Sequence, residues 1–259
     1  MKNLQEARDF FENGYLQYRP NITIDCAIFG YHNGELNVLL VKNKVIKKWS
    51  LPGGFIKKTE NLDHAAARIT AERTGLEGLF LKQVKAFGDL GRNAARDFFD
   101  HEAFEQLMGF RINGNSWLVG ETVTLGFYAI TDIVNASPQT DFFSEECQWF
   151  PVYALPSLGF DHDEIVAEAL ARMRTDLYHF PIGKNLLQPK FTLKEIKTLY
   201  EVLSGKKLNA TNFPNKLMSL GLLTKLNEKR SIGGHRSPTY YEFNHTTYQK
   251  ALQEGLVLV

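Results

Sequence analysis

Apolar residues in the first 180 positions follow two periods, and each period predicts a different element. Apolar side chains alternate with other residues between Asn21 and Phe29, as in a strand that buries one face. Asn33-Gly34 offers a tight turn before a second strand from Leu36 to Val41, so the pattern predicts a β-hairpin. Further strands are predicted where β-branched and aromatic residues cluster, at 79–87, 122–130 and 145–152.

A helical period appears before and between these strands. The predicted helices cover residues 4–18, 62–74 and 163–178. Gly75 can adopt the left-handed conformation that closes the second helix, and Asp161 is a possible cap of the third. The pattern therefore predicts an N-terminal helical segment over residues 1–20 and an α+β domain over residues 21–180.

Residues 91–120 fit no regular pattern apart from a short amphipathic helix predicted around His101 to Leu107. A stretch of this length in a compact domain is typical of a functional lid or of a flexible insertion, and both interpretations stay open.

The pattern changes after Pro181. Thr192 and Glu195 form a capping-box signature ahead of a helix whose apolar face is Ile196, Leu199, Tyr200 and Leu203. A second helix is predicted over 212–220, and two β-prone segments then flank Gly233-Gly234. Helix, turn, helix and basic hairpin predict a winged helix-turn-helix domain over residues 185–259.

Charge is divided unevenly between these two regions. The net charge of +1 combines −6 over residues 1–180 with +7 over residues 181–259. A basic module favours a polyanionic partner such as nucleic acid, and a solvated charged surface is the alternative.

The composition adds an expectation about location. No stretch approaches the roughly 20 uncharged residues that a membrane helix needs. Cys26 and Cys147 match no metal spacing and are interpreted as buried thiols. We therefore expect a cytoplasmic protein without a membrane partner.

Residues 54–76 resemble the Nudix box, a loop–helix–loop motif. Six of its characteristic positions are in register: Gly54, Glu60, Arg68, Glu72, Gly75 and Leu76. The resemblance implies a Nudix fold, which is a mixed sheet with flanking helices, and a pair between Glu60 and Arg68 that ties the loop to the helix. In hydrolases of this family, glutamates of the helix hold Mg²⁺ or Mn²⁺ and position the water that attacks a diphosphate.

Two of those glutamates are replaced here, by Ile69 and Arg73. These positions are four residues apart on one helix face, where two carboxylates could share a hard cation. Glu72 alone, beside a positive charge, is a poor metal ligand set. We therefore predict no catalytic residue, no metal site and no cofactor.

The ligand-binding candidates are Asp25, Trp49, Arg68, Glu72 and Arg73. Arg73 can replace the missing metal and bind a phosphate or a hydroxyl-rich ligand, or it can face solvent or pair with a neighbouring acid. Asp25 and Trp49 are candidates by resemblance alone, and core packing is an equal alternative for Trp49.

The C-terminal region is similar to the winged helix of the Nudix-related transcriptional regulators, in which a degenerate Nudix domain senses a small molecule and the winged helix binds operator DNA. The resemblance implies a double-stranded operator and an effector that is ADP-ribose, a related metabolite, or a pentose such as arabinose. The segments TIDCAIFG and KWSLPGGF look most like the sugar-responsive branch. That similarity favours a pentose and a role in sugar metabolism.

The DNA contacts are predicted on the second helix and on the hairpin. Amide side chains suit adenine edges in the major groove, and cations suit phosphates or the minor groove. The predicted base-reading residues are Asn212, Asn215 and Lys216, and the predicted backbone-contacting residues are Lys229, Arg230, His235 and Arg236. A homodimer on a two-fold operator is expected.

Two other function classes stay open at this point. One is a metal-dependent Nudix hydrolase of a nucleoside diphosphate derivative, with Asp100, Glu102 or Glu121 completing the metal site. The other is a ligand-binding adaptor whose winged helix contacts protein. The residues do not distinguish a repressor from an activator.

Overall fold

The computed structural model describes residues 1–92, 99–112, 114, 116–134, 136–231 and 237–256. The chain separates into two compact units, the first formed by residues 1–30 and 37–170 and the second by residues 31–36 and 171–259. The helix over His162–Asp176 runs across the division at residue 170, so this division does not mark a linker. The predicted domain limits at 180 and 185 therefore stay predictions. Among the described residues, no helix combines the length and the apolar composition needed to cross a bilayer.

The N-terminal region alternates helices and strands as predicted. Its elements are α1 (Leu4–Gln17), β1 (Tyr18–His32), β2 (Glu35–Asn43), β3 (Trp49–Ser50), β4 (Gly53–Lys57), α2 (Leu62–Thr74), β5 (Lys82–Phe87), α3 (His101–Met108), β6 (Val123–Asp132), β7 (Ser144–Pro151) and α4 (His162–Asp176). The short strands β3 and β4 are absent from the sequence prediction. The α+β class is confirmed.

Among the described residues, a seven-stranded sheet has the order β3-β2-β1-β6-β5, with β4 also pairing with β1 and β7 with β2. The alternation predicted for β1 is wrong as a burial pattern, because every residue from Ile24 to Gly30 is buried. The strand lies inside the sheet, and both of its faces are covered. Asp25 on this strand is therefore held in the interior.

Helix α2 has the predicted limits because both ends carry a specific cap. The Asn61 side chain accepts a hydrogen bond from the His64 amide at 2.9 Å, and Gly75 has a φ of 71°. Its inner face is Ala65, Ala66 and Ile69, which pack with Ile24, Cys26 and Ile28 of β1. This packing fixes the helix against the centre of the sheet.

Helix α1 and the described part of residues 91–120 pack together. The Arg8 guanidinium donates two hydrogen bonds to the Met108 carbonyl, at 2.9 and 3.1 Å. The Trp117 indole donates to the Phe10 carbonyl at 3.2 Å, and its ring lies directly over Gly14. We call α1 together with the described residues from 99 to 119 the cover. Residues 93–98, 113 and 115 lie outside the described residues.

The described C-terminal region has the predicted helices and hairpin and two additional helices, one of them a short 3-10 helix. Its elements are a short 3-10 helix (Lys184–Leu186), α5 (Leu193–Ser204), α6 (Asn212–Ser219), β8 (Leu223–Lys229), β9 (Thr239–Phe243) and α7 (His245–Glu254). The capping box at Thr192 and Glu195 is present, and the apolar face of α5 is buried. Strands β8 and β9 pair in antiparallel fashion. The predicted winged helix-turn-helix outline is confirmed.

Candidate functional site

Arg68 organises the loop and helix of the box. Its guanidinium donates to both Glu60 carboxylate oxygens at 2.6 and 2.9 Å, to the Phe55 carbonyl at 2.9 Å and to Glu72 at 3.0 Å. Burial would raise the pKa of Glu60, but the hydrogen bonds from Arg68 and from the Lys57 amide lower it below its usual range. The predicted Glu60–Arg68 pair forms, so Arg68 acts as a structural clamp.

The two substituted positions of α2 have different environments. Ile69 is only 1% exposed and belongs to the apolar core. Arg73 donates to the Gly53 carbonyl at 2.9 Å and pairs with Asp141, a carboxylate that is only 3% exposed. Arg73 therefore pairs with a neighbouring acid, which was one of its two predicted roles.

A cavity of about 520 Å³ lies beside the box, within the first unit. Asp25 and Arg73 line it, whereas Trp49, Arg68 and Glu72 do not. The Trp49 ring instead packs edge-on against Phe150, with 4.8 Å between ring centres. Of the five predicted ligand-binding residues, the structure brings Asp25 and Arg73 together at one cavity.

One side of the cavity is a network of buried and half-buried polar groups. Asp25 accepts a hydrogen bond from the Thr124 hydroxyl at 2.7 Å. Arg92 makes a two-pronged pair with the Asp161 carboxylate, at 2.6 and 2.8 Å, and also donates to the Thr122 hydroxyl at 3.0 Å. Both arginines in the described lining are therefore paired with aspartates, Arg73 with Asp141 and Arg92 with Asp161.

His162 begins α4 and lies against Asp25. The Leu51 amide donates to His162 Nδ1 at 2.8 Å, so Nε2 carries the proton of the neutral ring and faces Asp25 Oδ1 at 3.7 Å. Burial lowers the pKa of His162, and the nearby Asp25 opposes this shift only in part. The histidine therefore turns its Nε2 edge toward the same carboxylate that lines the cavity.

Sequence reasoning missed Arg92 and His162. The segment GFDHDEI at 159–165 contains His162, but its local pattern indicates only Asp161 as a helix cap. Arg92 had no local signal, since its partners Asp161 and Thr122 are 69 and 30 residues away.

The opposite side of the cavity is apolar and largely aromatic. Phe10 and Phe11 of α1 reach it from the cover, next to aromatic residues from other elements. The phenylalanines that line the cavity are Phe10, Phe11, Phe55, Phe99, Phe104, Phe143 and Phe160. A cavity with a few fixed polar groups on one side and aromatic walls on the other is suited to a small organic ligand.

The carboxylates considered for a metal site are not assembled. Asp100 caps α3 by accepting from the Ala103 amide at 2.9 Å, and Asp100, Glu102 and Glu121 do not line the cavity. Within the described ranges, no group of three or more His, Cys, Asp or Glu side chains is arranged to hold a metal ion. The hydrolase interpretation gains no support from this arrangement.

Helix α6 presents its predicted DNA-contacting residues on one face. Asn212, Asn215 and Lys216 are exposed, whereas Phe213 and Leu217 are buried inside the second unit, to which α6 belongs. Positions i, i+3 and i+4 lie on the same side of a helix, so the three polar side chains form one stripe. Pro214 lies in the first turn, where the missing amide breaks no helical hydrogen bond.

The hairpin residues have different environments. Lys229 is exposed at the end of β8, whereas Arg230 donates to Glu195 at 2.8 Å and to the Tyr240 hydroxyl at 3.0 Å. Glu195 belongs to the capping box of α5, so Arg230 joins the hairpin to that helix. His235 and Arg236 lie outside the described residues.

The two units define a class of protein: a Nudix-type α+β domain without paired metal carboxylates on its box helix, followed by a winged helix-turn-helix. The chain belongs to the NUDIX domain family, which matches residues 20–170. Residues 183–243 match the NrtR DNA-binding winged helix domain.

Three relatives extend this assignment. The ADPR responsive transcriptional repressor NtrR of Acinetobacter baylyi is 29% identical over 231 residues, which cover 86% of this chain and 82% of that protein. The crystal structure of Shewanella oneidensis NrtR complexed with a 27mer DNA is 26% identical, covers 88% of this chain and 95% of its own, and has a TM-score of 0.64. A MutT/nudix family protein from Enterococcus faecalis, 19% identical, covers 94% of this chain and all of its own with a TM-score of 0.63, which supports the fold alone.

Proposed function

We propose that the protein is a DNA-binding transcriptional repressor whose Nudix domain binds ADP-ribose as an effector and does not hydrolyse it. The box itself carries this proposal. Ile69 and Arg73 occupy the positions of metal carboxylates, while a cavity of about 520 Å³ is kept beside them. A binding site retained without its metal ligands is suited to sensing rather than to cleavage.

ADP-ribose is preferred to the pentose that the sequence favoured. The Acinetobacter baylyi relative is named for its response to ADPR, and the relatives described above give no support for a pentose. The cavity volume is within the range of roughly 300–1,000 Å³ that is typical of sites for drug-sized ligands, which is large for a single pentose. A role in sugar metabolism therefore has no support.

DNA binding is assigned to the stripe on α6 and to the hairpin. The second unit is basic, and the similar Shewanella oneidensis NrtR was crystallised with a 27mer DNA. In this proposal Asn212, Asn215 and Lys216 read bases, Lys229 contacts phosphate, and a homodimer matches a two-fold operator.

Fluorescence anisotropy tests the proposal directly. The protein is titrated onto DNA from upstream of its own gene and onto a scrambled duplex, each with ADP-ribose or arabinose added. We expect tighter binding to the upstream DNA and a change in that binding with ADP-ribose alone. A response to arabinose alone would contradict the effector, and equal binding to both duplexes would contradict operator recognition.

Turnover is measured on the same preparation. ADP-ribose is incubated with the protein and Mg²⁺ or Mn²⁺, and released AMP is quantified against an active Nudix hydrolase. We expect no metal-dependent release above background. Multiple turnover would instead support the hydrolase.

A further inference from the structure

The backbone of Phe160 is strained. Among the described residues, three residues other than glycine have a positive φ: Asn21 at 62°, Asn33 at 49° and Phe160 at 57°. Asparagine tolerates this region, whereas a bulky side chain there is an outlier that indicates strain. The chain thus keeps a phenylalanine at a position where glycine or asparagine would relieve strain.

The neighbouring backbone holds this conformation from both sides. The Gly159 amide donates to the Trp49 carbonyl at 2.8 Å, and the His162 amide donates to the Gly159 carbonyl at 3.3 Å. The next side chain, Asp161, is held by Arg92. A strained residue persists when its surroundings determine its conformation in this way, and such residues cluster at ligand-binding sites.

The Phe160 side chain is more exposed than its neighbours in the cavity lining. Phe160 is 37% exposed, whereas Phe104 and Phe143, which line the same cavity, are buried. Its ring lies 5.2 Å from the ring of His162, between centres, and both rings line the cavity. The strained residue therefore holds a partly exposed aromatic ring in a lining that also includes Arg92, Asp25 and His162.

We propose that Phe160 is the platform on which the aromatic base of a nucleotide effector stacks. This inference rests on the proposed function, and it deepens it by stating which part of the effector is recognised. A flat aromatic ring can stack on any nucleobase, because every base has a flat π-face. Removing one such ring weakens binding severalfold to about a hundredfold. The cavity is then selective for nucleotides over bare sugars and sugar phosphates.

The test separates the ring from the backbone. Phe160→Gly removes the ring and relieves the strain, Phe160→Asn does so with a second residue suited to this backbone, and Phe160→Tyr keeps an aromatic face. Calorimetric titration is carried out with ADP-ribose and with ribose 5-phosphate, which has no base. Thermal melting is measured for each variant.

We expect Phe160→Gly and Phe160→Asn to bind ADP-ribose about tenfold or more weakly than the wild type, with a melting temperature that is unchanged or higher. Their preference for ADP-ribose over ribose 5-phosphate should fall by the same factor, and Phe160→Tyr should stay within about threefold of the wild type. Phe80→Asn, which removes an exposed ring that does not line the cavity, should bind like the wild type.

The outcomes distinguish this inference from the proposed function. If the wild type binds no ADP-ribose, the proposed function fails. If the wild type binds and both ring-removing variants keep their affinity, or lose affinity for both ligands equally, the stacking role is wrong while the proposed function stands. A lower melting temperature for both would assign the ring to the core and overturn the stacking role as well.

Discussion

At the scale of single residues, two neighbours on α2 differ in role. One keeps the residue type of the box and binds the loop, and the other departs from the box and packs in the core. Arg68 is the residue that the motif has at this position, and it holds the loop through Glu60 and Phe55. Ile69 stands where the motif has a glutamate, and its side chain lies in the core. The clamp was predicted from the motif. The burial of Ile69 was not, because the motif gives the spacing of the metal ligands and says nothing of what an alkyl group there would touch.

Arg68→Ala should lower the free energy of unfolding by about 2–4 kcal/mol, because it leaves the Glu60 carboxylate poorly solvated and without its partner. Urea denaturation at pH 7 measures the change. Arg111→Ala, which breaks the exposed pair with Glu105, is the matched control and should have little effect. Equal effects of the two substitutions would contradict the clamp.

The same pair gives a pH dependence. Because the folded-state pKa of Glu60 is lowered, its contribution to stability is complete above its unfolded pKa and is lost as the pH falls through the folded value. Glu60→Gln should therefore destabilise the protein at pH 7 and progressively less below about pH 4.3, the ordinary glutamate pKa. Unfolding free energies of both proteins at several pH values test this, and a constant difference would refute it.

Ile69→Glu should not rebuild a metal site. The new carboxylate would enter an apolar core without a hydrogen-bond partner and should cost more than about 3 kcal/mol. Ile69→Val, which keeps the position apolar, should cost about 1 kcal/mol. Thermal melting with and without Mg²⁺ measures both effects, and stabilisation of Ile69→Glu by Mg²⁺ would show that position 69 can still face a cation.

At the scale of elements, the sequence predicted those with strong local signals. Helix α2 has its limits fixed by Asn61 and Gly75, which are visible in the sequence. Helix α7 was missed because it buries only Tyr248 and Ala251, too few apolar positions to show a period. Of the polar residues that line the cavity, Asp25 was predicted, whereas Arg92 and His162 were missed for another reason: they come from distant segments that only the fold brings together.

The role of residues 91–120 was left open in the sequence analysis. The described part of this segment packs on α1 within the cover, and a substitution at Gly14 of α1 tests that packing. A methyl group at Gly14 would collide with the Trp117 ring. Gly14→Ala should therefore destabilise the protein by about 1–3 kcal/mol, although alanine favours helix. Denaturant unfolding measures this, with exposed Glu12→Ala on the same helix as control, and a stabilised Gly14→Ala would contradict the packing of α1 on residues 99–119.

At the scale of the whole molecule, the proposed function assigns effector binding and DNA binding to different units. The acidic first unit contains a cavity whose arginines are already paired, and the basic second unit exposes Lys216 and Lys229. In the proposed regulator, salt should therefore weaken DNA binding steeply. In a plot of log affinity against log salt concentration, each phosphate that the protein neutralises makes the slope more negative by about 0.9.

Two substitutions separate base reading from phosphate binding in the proposed regulator. Lys229→Ala should weaken binding to operator and scrambled DNA alike and reduce the salt slope by about 1. Asn215→Ala should reduce the preference for the operator while leaving the slope unchanged. Anisotropy at several salt concentrations measures both, with exposed Gln253→Ala as control, and identical behaviour of the two variants would contradict the division of roles.

The course of helix α4 determines where the chain can be divided into fragments. It begins at His162 in the cavity wall and continues past residue 170, where the second unit begins. A fragment that stops at Leu170 would end in mid-helix and lose the amides that bond the last carbonyls of its final turn. A biosensor made from the first unit alone should therefore keep the whole of α4, which ends at Asp176.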